Sequence, residues 1–163
     1  MSGYYFQGLT REQAVEIGSW EYEDPYRIYS MDGSEEEQAE LMSGEYFAGV
    51  NSEQKLIGFV CEGIAARVPG GYAAGLYEGD GILDIGLGLK PELTGKGYGL
   101  EFMLDGMSFL RERYQPSAFQ LVVAAFNERA IRVYERVGFV KCGSCKSHVN
   151  GREQDFISMR RFV

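Results

Sequence analysis

The sequence predicts a single mixed α/β domain: a central sheet of about six to seven strands with helices packed against it. Three observations point there. The 163 residues suit one domain with a sizeable core. Apolar runs with strand character alternate with amphipathic segments of helical period, which argues a sheet covered by helices. The chain ends in Phe139 to Val149 and Arg152 to Phe162, two strand-like runs joined by Asn150-Gly151, the strongest short hairpin signal.

Each element has its own local signal. Tyr4 to Leu9 reads as a short strand. Thr10 is placed to cap a helix from Arg11 to Trp20, with Gln13 completing a capping box. Glu21 to Asp32 is an aromatic, irregular stretch broken by Pro25. Ser34 caps a second helix running to about Met42, and Glu35, Glu36 and Glu37 suit the positive end of its dipole. Tyr46 to Val50 and Lys55 to Arg67 read as strands. Pro69-Gly70-Gly71 breaks the pattern, and Tyr72 to Gly81 is ambiguous. Ile82 to Leu89 is a strand that Pro91 ends. Gly97 to Tyr114 is the clearest helix, with Leu100, Met103, Leu104, Met107, Leu110 and Tyr114 expected on its buried face. Ala118 to Phe126 is a strong apolar strand. Asn127 caps a last helix from Glu128 to Val137, and Gly138 stops it.

Composition narrows the function classes. The net charge of −8 disfavours duplex nucleic acid and anionic membranes, where basic patches do most of the binding, so neither is expected as a partner. It is compatible with a cationic substrate such as an amine. No run is apolar enough to span a membrane and the N-terminus lacks a signal-peptide pattern, so the expectation is a cytoplasmic protein. The three cysteines, Cys61, Cys142 and Cys145, are expected to be free thiols. Cys142-Gly-Ser-Cys145 with His148 has metal-like spacing. On a strand, however, residues three apart face opposite ways and a fourth ligand is wanting, so no metal is expected. His148 reads as structural or exposed.

The glycine-rich stretch after the Ile82–Leu89 strand is the chemical signal. Gly95, Gly97 and Gly99 alternate with Lys96 and Tyr98 just before a helix. Glycines there let backbone N–H groups approach an anion, and the helix adds its positive end, which makes a seat for a phosphorylated ligand. Gly95-Lys96-Gly97 lacks the spacing and the following Ser or Thr of a P-loop.

Together, Asp84-Ile-Gly-Leu-Gly-Leu, Thr94-Gly-Lys-Gly-Tyr-Gly and Ala125-Phe-Asn-Glu-Arg-Ala-Ile-Arg-Val-Tyr-Glu-Arg-Val-Gly-Phe139 resemble the GNAT N-acetyltransferases. The nearest branch is the one that acetylates N-terminal amines of ribosomal proteins and related small amines. The resemblance implies the GNAT fold, splayed between Ile82–Leu89 and Ala118–Phe126. It implies acetyl-CoA as co-substrate and transfer of the acetyl group to a primary amine, on a small molecule or a peptide N-terminus, by direct attack in a ternary complex. The pyrophosphate would lie on Thr94, Gly95, Lys96, Gly97, Tyr98 and Gly99, and the pantetheine arm along Leu87, Gly88 and Leu89, with Asn127 contacting it. Thr94 stands where the family has Arg or Gln, which removes one side-chain contact and leaves the backbone donors.

Tyr134 occupies the family's tyrosine position, where a phenol of ordinary pKa about 10 can protonate a departing thiolate. The plain alternative is a core aromatic. Asp84 sits where the branch often has a glutamate base, the alternative being a structural hydrogen-bond acceptor. Trp20, Tyr26 and Tyr29 fall in the region that lines the family's acceptor cleft. They equally suit an aromatic cluster packing the early helices. GNAT proteins are often dimers, and the apolar edge of the terminal hairpin offers a contact for a homodimer. A non-catalytic acyl-CoA-binding or sensing domain on the same fold is the alternative function.

Overall fold

A computed structural model of the chain describes residues 3–163. Seven strands form one sheet: β1 (Tyr5–Gly8), β2 (Tyr46–Val50), β3 (Leu56–Glu62), β4 (Ile82–Leu89), β5 (Ala118–Ala124), β6 (Val140–Val149) and β7 (Arg152–Phe162). Their spatial order is β1-β2-β3-β4-β5-β7-β6. Five α-helices accompany them: α1 (Arg11–Gly18), α2 (Glu35–Leu41), α3 (Pro69–Ala73), α4 (Gly99–Tyr114) and α5 (Glu128–Val137). The chain divides into two compact units, one made of the residues through Cys61 together with Leu87–Phe109, the other of Glu62–Gly86 and Leu110–Val163.

In the first unit β1 and β3 flank β2, both antiparallel to it. Thr10 and Gln13 make the reciprocal capping box at the start of α1, and the Ser34 hydroxyl accepts from Glu37 N–H at the start of α2. The core is aromatic: Phe102, fully buried, meets Tyr4 and Phe6 edge-on, and Phe109 stacks on Phe6 and meets Phe47. Glycines let backbones close up here. A Cβ on Gly58 would stand 2.3 Å from the Gly88 carbonyl oxygen, and one on Gly88 would stand 2.4 Å from the Phe59 ring. Glycine at 88 thus lets β4 and β3 approach closely.

In the second unit β5 runs parallel to β4 and antiparallel to β7, and β6 and β7 form the terminal hairpin. The β4–β5 ladder spans only Ile82↔Ala118, Leu83↔Phe119 and Asp84↔Gln120, a short pairing consistent with the expected splay of the two strands. Asn127 caps α5 by accepting from Ala130 N–H, and Gly138, at φ 105°, closes it in the left-handed region.

Several boundaries differ from the sequence reading, each for a local reason. The strand expected to reach Arg67 ends at Glu62, because Gly63 turns left-handed at φ 69° and a 3-10 turn over Gly63–Ala66 follows. Pro69-Gly70-Gly71 opens the short helix α3, with Pro69 in its first turn, where a missing N–H costs nothing. Helix α4 starts at Gly99, since Gly97 at φ 88° cannot be helical. On α4, Met103, Met107 and Leu110 are buried as expected, but Leu104 and Tyr114 are exposed and Phe102 joins the core instead. Helix α1 ends at Gly18 and β5 at Ala124, both earlier than expected.

Candidate active site

In the first unit, the end of β4 leads into the glycine turn. Lys90 N–H donates to the Ile57 carbonyl, and a 3-10 turn over Pro91–Leu93 follows. Thr94 closes that turn: its hydroxyl and its N–H both donate to the Pro91 carbonyl, at 2.8 and 3.2 Å. The hydroxyl is thus spent on the turn itself. Gly95 and Gly97 then adopt φ 71° and 88°, and residues Gly95 to Tyr98 are exposed. A Cβ at Gly97 would meet nothing within 4 Å, so this glycine is required by backbone conformation and not by crowding. The first helical bond of α4 runs from Phe102 N–H to the Tyr98 carbonyl, which leaves the N–H groups of Gly99, Leu100 and Glu101 ahead of it at the positive end of the helix. These features fit a pyrophosphate: exposed backbone donors, a lysine beside them and a helix start.

Leu87, Gly88 and Leu89 form the last stretch of β4. Tyr22 donates its hydroxyl to the Leu89 carbonyl at 2.6 Å, and burial raises the Tyr22 phenol far above its ordinary range. Tyr22 therefore stays a donor at neutral pH and ties the segment after α1 to the end of β4. Trp20 is buried and stacks on Phe59, and among the described residues its indole N–H has no hydrogen-bond partner. Tyr26 and Tyr29 lie in a 3-10 turn, Tyr26 half-buried and Tyr29 exposed.

In the second unit a polar row crosses the sheet. Asp84, Gln120 and Arg160 are direct cross-strand neighbours on β4, β5 and β7. The Gln120 amide donates to Asp84 Oδ1 at 2.9 Å and to the Leu76 carbonyl at 2.8 Å, and its oxygen accepts from Arg160 Nη2 at 2.6 Å. Arg67 Nε donates to Asp84 Oδ2 at 2.8 Å. Asp84 is 4% exposed, so this carboxylate is buried with both oxygens engaged. The Arg67 guanidinium lies over the rings of Tyr77, at 4.8 Å, and Tyr72, at 5.6 Å. Burial pulls the Arg67 pKa down, but hydrogen bonds to Tyr72 and Asp84 outweigh it and the group stays firmly cationic. Tyr77 accepts a hydrogen bond from Val68 N–H, and burial pushes its phenol up to about 12.

The same unit holds Asn127 and Tyr134. Asn127 is buried and its side chain is the observed cap of α5. Tyr134 is half-buried on α5, its ring tilted against Phe139 at 6.2 Å. The cap and the ring contact are the plain roles, and neither excludes a contact with substrate. Cys142 is the extra residue of a bulge in β6, with its thiol 3.3 Å from the Ser158 hydroxyl, and His148 is exposed. Among the described residues no three His, Cys, Asp or Glu side chains gather as a metal would require. No helix of the described residues is long and apolar enough to cross a membrane.

Sequence reasoning missed the row's other members, Arg67, Gln120 and Arg160. Gln120 alone left a trace, as the one polar residue inside the apolar run of β5.

The mixed sheet and its helices define the fold class, and comparison with known proteins gives the family. The Acetyltransferase (GNAT) family matches residues 12–139, and the chain belongs to it. The mycothiol acetyltransferase of Acidothermus cellulolyticus is 31% identical over 133 residues, covering 79% of this chain and 38% of that protein. The chain thus spans less than two fifths of the length of the curated relative it matches. Among solved structures, the spermidine/spermine N-acetyltransferase SpeG from Vibrio cholerae superposes with a TM-score of 0.68 at 21% identity, over 98% of this chain and 92% of that one. The ribosomal-protein-S5-alanine acetyltransferase from Vibrio fischeri gives 0.64 at 21% identity, over 98% and 92%. These two likenesses establish the fold.

Proposed function

We propose that this chain is an acetyl-CoA-dependent N-acetyltransferase that moves the acetyl group to a primary amine by direct attack. The observation that carries the reading is the turn from Thr94 to Gly99. Two left-handed glycines and a helix start present backbone donors directly after β4, in a chain of the GNAT family. Backbone N–H groups of Gly95 to Gly99 and the Lys96 ammonium would hold the pyrophosphate. The Leu87–Leu89 backbone would hold the pantetheine arm, with Asn127 as a further contact.

Acetyl-CoA supplies the acetyl group as an activated thioester. The neutral amine attacks its carbonyl carbon, the C–N bond forms and the C–S bond breaks. A backbone N–H near Leu89 faces the developing oxyanion. The Tyr134 phenol gives its proton to the departing thiolate, and water takes the proton lost by the amine. Asp84 accepts from both Arg67 and Gln120, so it is assigned here to holding Arg67 in place and not to removing the amine proton. Tyr22 fixes the end of β4 by donating its hydroxyl to the Leu89 carbonyl.

The experiment is acetyl-CoA binding by calorimetry, followed by free-thiol release against an amine panel. Binding with amine-dependent release supports the reading. Binding without release on any amine would favour a sensing domain, and absence of binding would remove the co-substrate assignment.

A further inference from the structure

The polar row of the second unit holds two guanidinium groups and one carboxylate. Among the described residues, Asp84 is the one carboxylate in ion-pair contact with either arginine, through Arg67 Nε. Among the described residues, Arg160 donates to the neutral Gln120 amide alone, and its Nε is buried without a hydrogen-bond partner. The row therefore carries a formal excess of one positive charge, inside a chain whose net charge is −8. Half-buried cations cost solvation free energy unless an anion balances them. The row is also rigid. Asp84 pins Arg67 on one edge, the Tyr72 and Tyr77 rings flank it, and Gln120 is fixed at three points. Yet the Arg67 side chain keeps 26% of its surface open to solvent. A guanidinium that is held in place, charged and still accessible is a preorganised receptor for a carboxylate.

We propose that Arg67, with the charge of Arg160 behind it, receives an anionic group of the acceptor. The acceptor is then an amine that also carries a carboxylate, as an α-amino acid does, and not a polyamine or the N-terminus of a protein. This rests on the acetyl-transfer reading for the amine's role. It extends that reading by naming the chemical class of the acceptor. Arg67 is the binding residue. Arg160, acting through Gln120, is a positioning residue.

The test uses pairs that differ only in the anion. N-acetyl amino acids with small, apolar, acidic and basic side chains are each compared with their carboxamides, on the full chain with CoA present, by ligand-observed NMR. These probes have no α-amine to titrate, so the contrast reads the carboxylate alone. The expected result is that the acid of at least one pair binds about tenfold or more tightly than its amide, as one charge-assisted hydrogen bond supplies. That ratio should fall toward one in Arg67→Gln and shrink in Arg160→Gln. A ratio near one for every pair in the native protein overturns the proposal without needing a variant. So does a ratio that persists in both variants. Thiol release on the matching free amino acids and amides, corrected for the fraction of neutral amine, separates the two readings. Release on amides as readily as on acids overturns the anion receptor and leaves acetyl transfer standing. Release on no amine, with the NMR contrast intact, overturns acetyl transfer and leaves the receptor.

Discussion

The two ends of β4 are built in different ways. After Leu89 the chain builds with its backbone: the Thr94–Gly99 turn offers N–H groups, and its glycines are there for their φ angles. At Asp84 the chain builds with side chains: a carboxylate, an amide and two guanidiniums from β4, β5, β7 and the segment after β3 join in one hydrogen-bonded row. A backbone site tolerates change in its side chains and fails when a φ angle is denied. A side-chain site fails when one member loses its charge, because the others are left buried and uncompensated.

Variants can break this contrast in order of expected effect. Tyr134→Phe removes only the proposed proton donor, and should lower kcat by about 10²–10⁴ while acetyl-CoA affinity stays within a few-fold. Stopped-flow thiol release and calorimetry on the same sample measure both. Asp84→Asn leaves the Arg67 and Arg160 charges unbalanced, and should cost about 3 kcal/mol of stability in a denaturant titration. A variant that keeps its stability but loses the acid limb of its pH–rate profile would return Asp84 to the role of base.

Gly97→Val forces a β-branched residue to φ 88° and should cost about 1–2 kcal/mol. Because nothing crowds that position, the loss should surface mainly as weaker acetyl-CoA binding, which calorimetry on a chain that still melts cooperatively would show.

The buried phenols sharpen the comparison at alkaline pH. Burial raises Tyr22 and Tyr46 well above the ordinary phenol range and Tyr77 up to about 12. The unfolded chain loses these protons near pH 10 while the folded chain keeps them. Their contribution to stability is therefore complete below pH 10 and is lost as pH rises through the folded values. Absorbance at the phenolate band should show Tyr22, Tyr46 and Tyr77 among the tyrosines that titrate late, together with unfolding. Smallest of all, Thr94→Arg restores the long polar side chain that the family pattern has at that position. It should tighten acetyl-CoA by a few-fold at most, since the backbone already supplies the donors; the lost Thr94–Pro91 hydrogen bond works against it.

How much of this was legible in the sequence follows from the same contrast. The capping box at Thr10 and Gln13, the Asn127 cap, the Gly138 stop and the Asn150-Gly151 hairpin are local chemistry, and each stands where the residues place it. The glycine turn is contiguous and could be read directly. The polar row could not, because its members lie at positions 67, 84, 120 and 160 and meet only through strand register. Asp84 was visible as an acid on a strand, but not the arginine that occupies it. The strand expected through Arg67 failed at Gly63 because apolar residues such as Ile64 and Ala66 continue past it and mask the turn. On α4, Leu104 suited the helical spacing as well as Phe102 did, and only tertiary packing chose between them.

The most direct test of the central claim is thiol release from acetyl-CoA by the native chain and by Tyr134→Phe, on samples whose acetyl-CoA affinity has been measured by calorimetry. Binding is expected in both, with amine-dependent release in the native chain and release lowered by about 10²–10⁴ in the variant. Undiminished release in Tyr134→Phe would contradict the assigned proton donor, and no acetyl-CoA binding by the native chain would contradict the backbone seat at Thr94–Gly99.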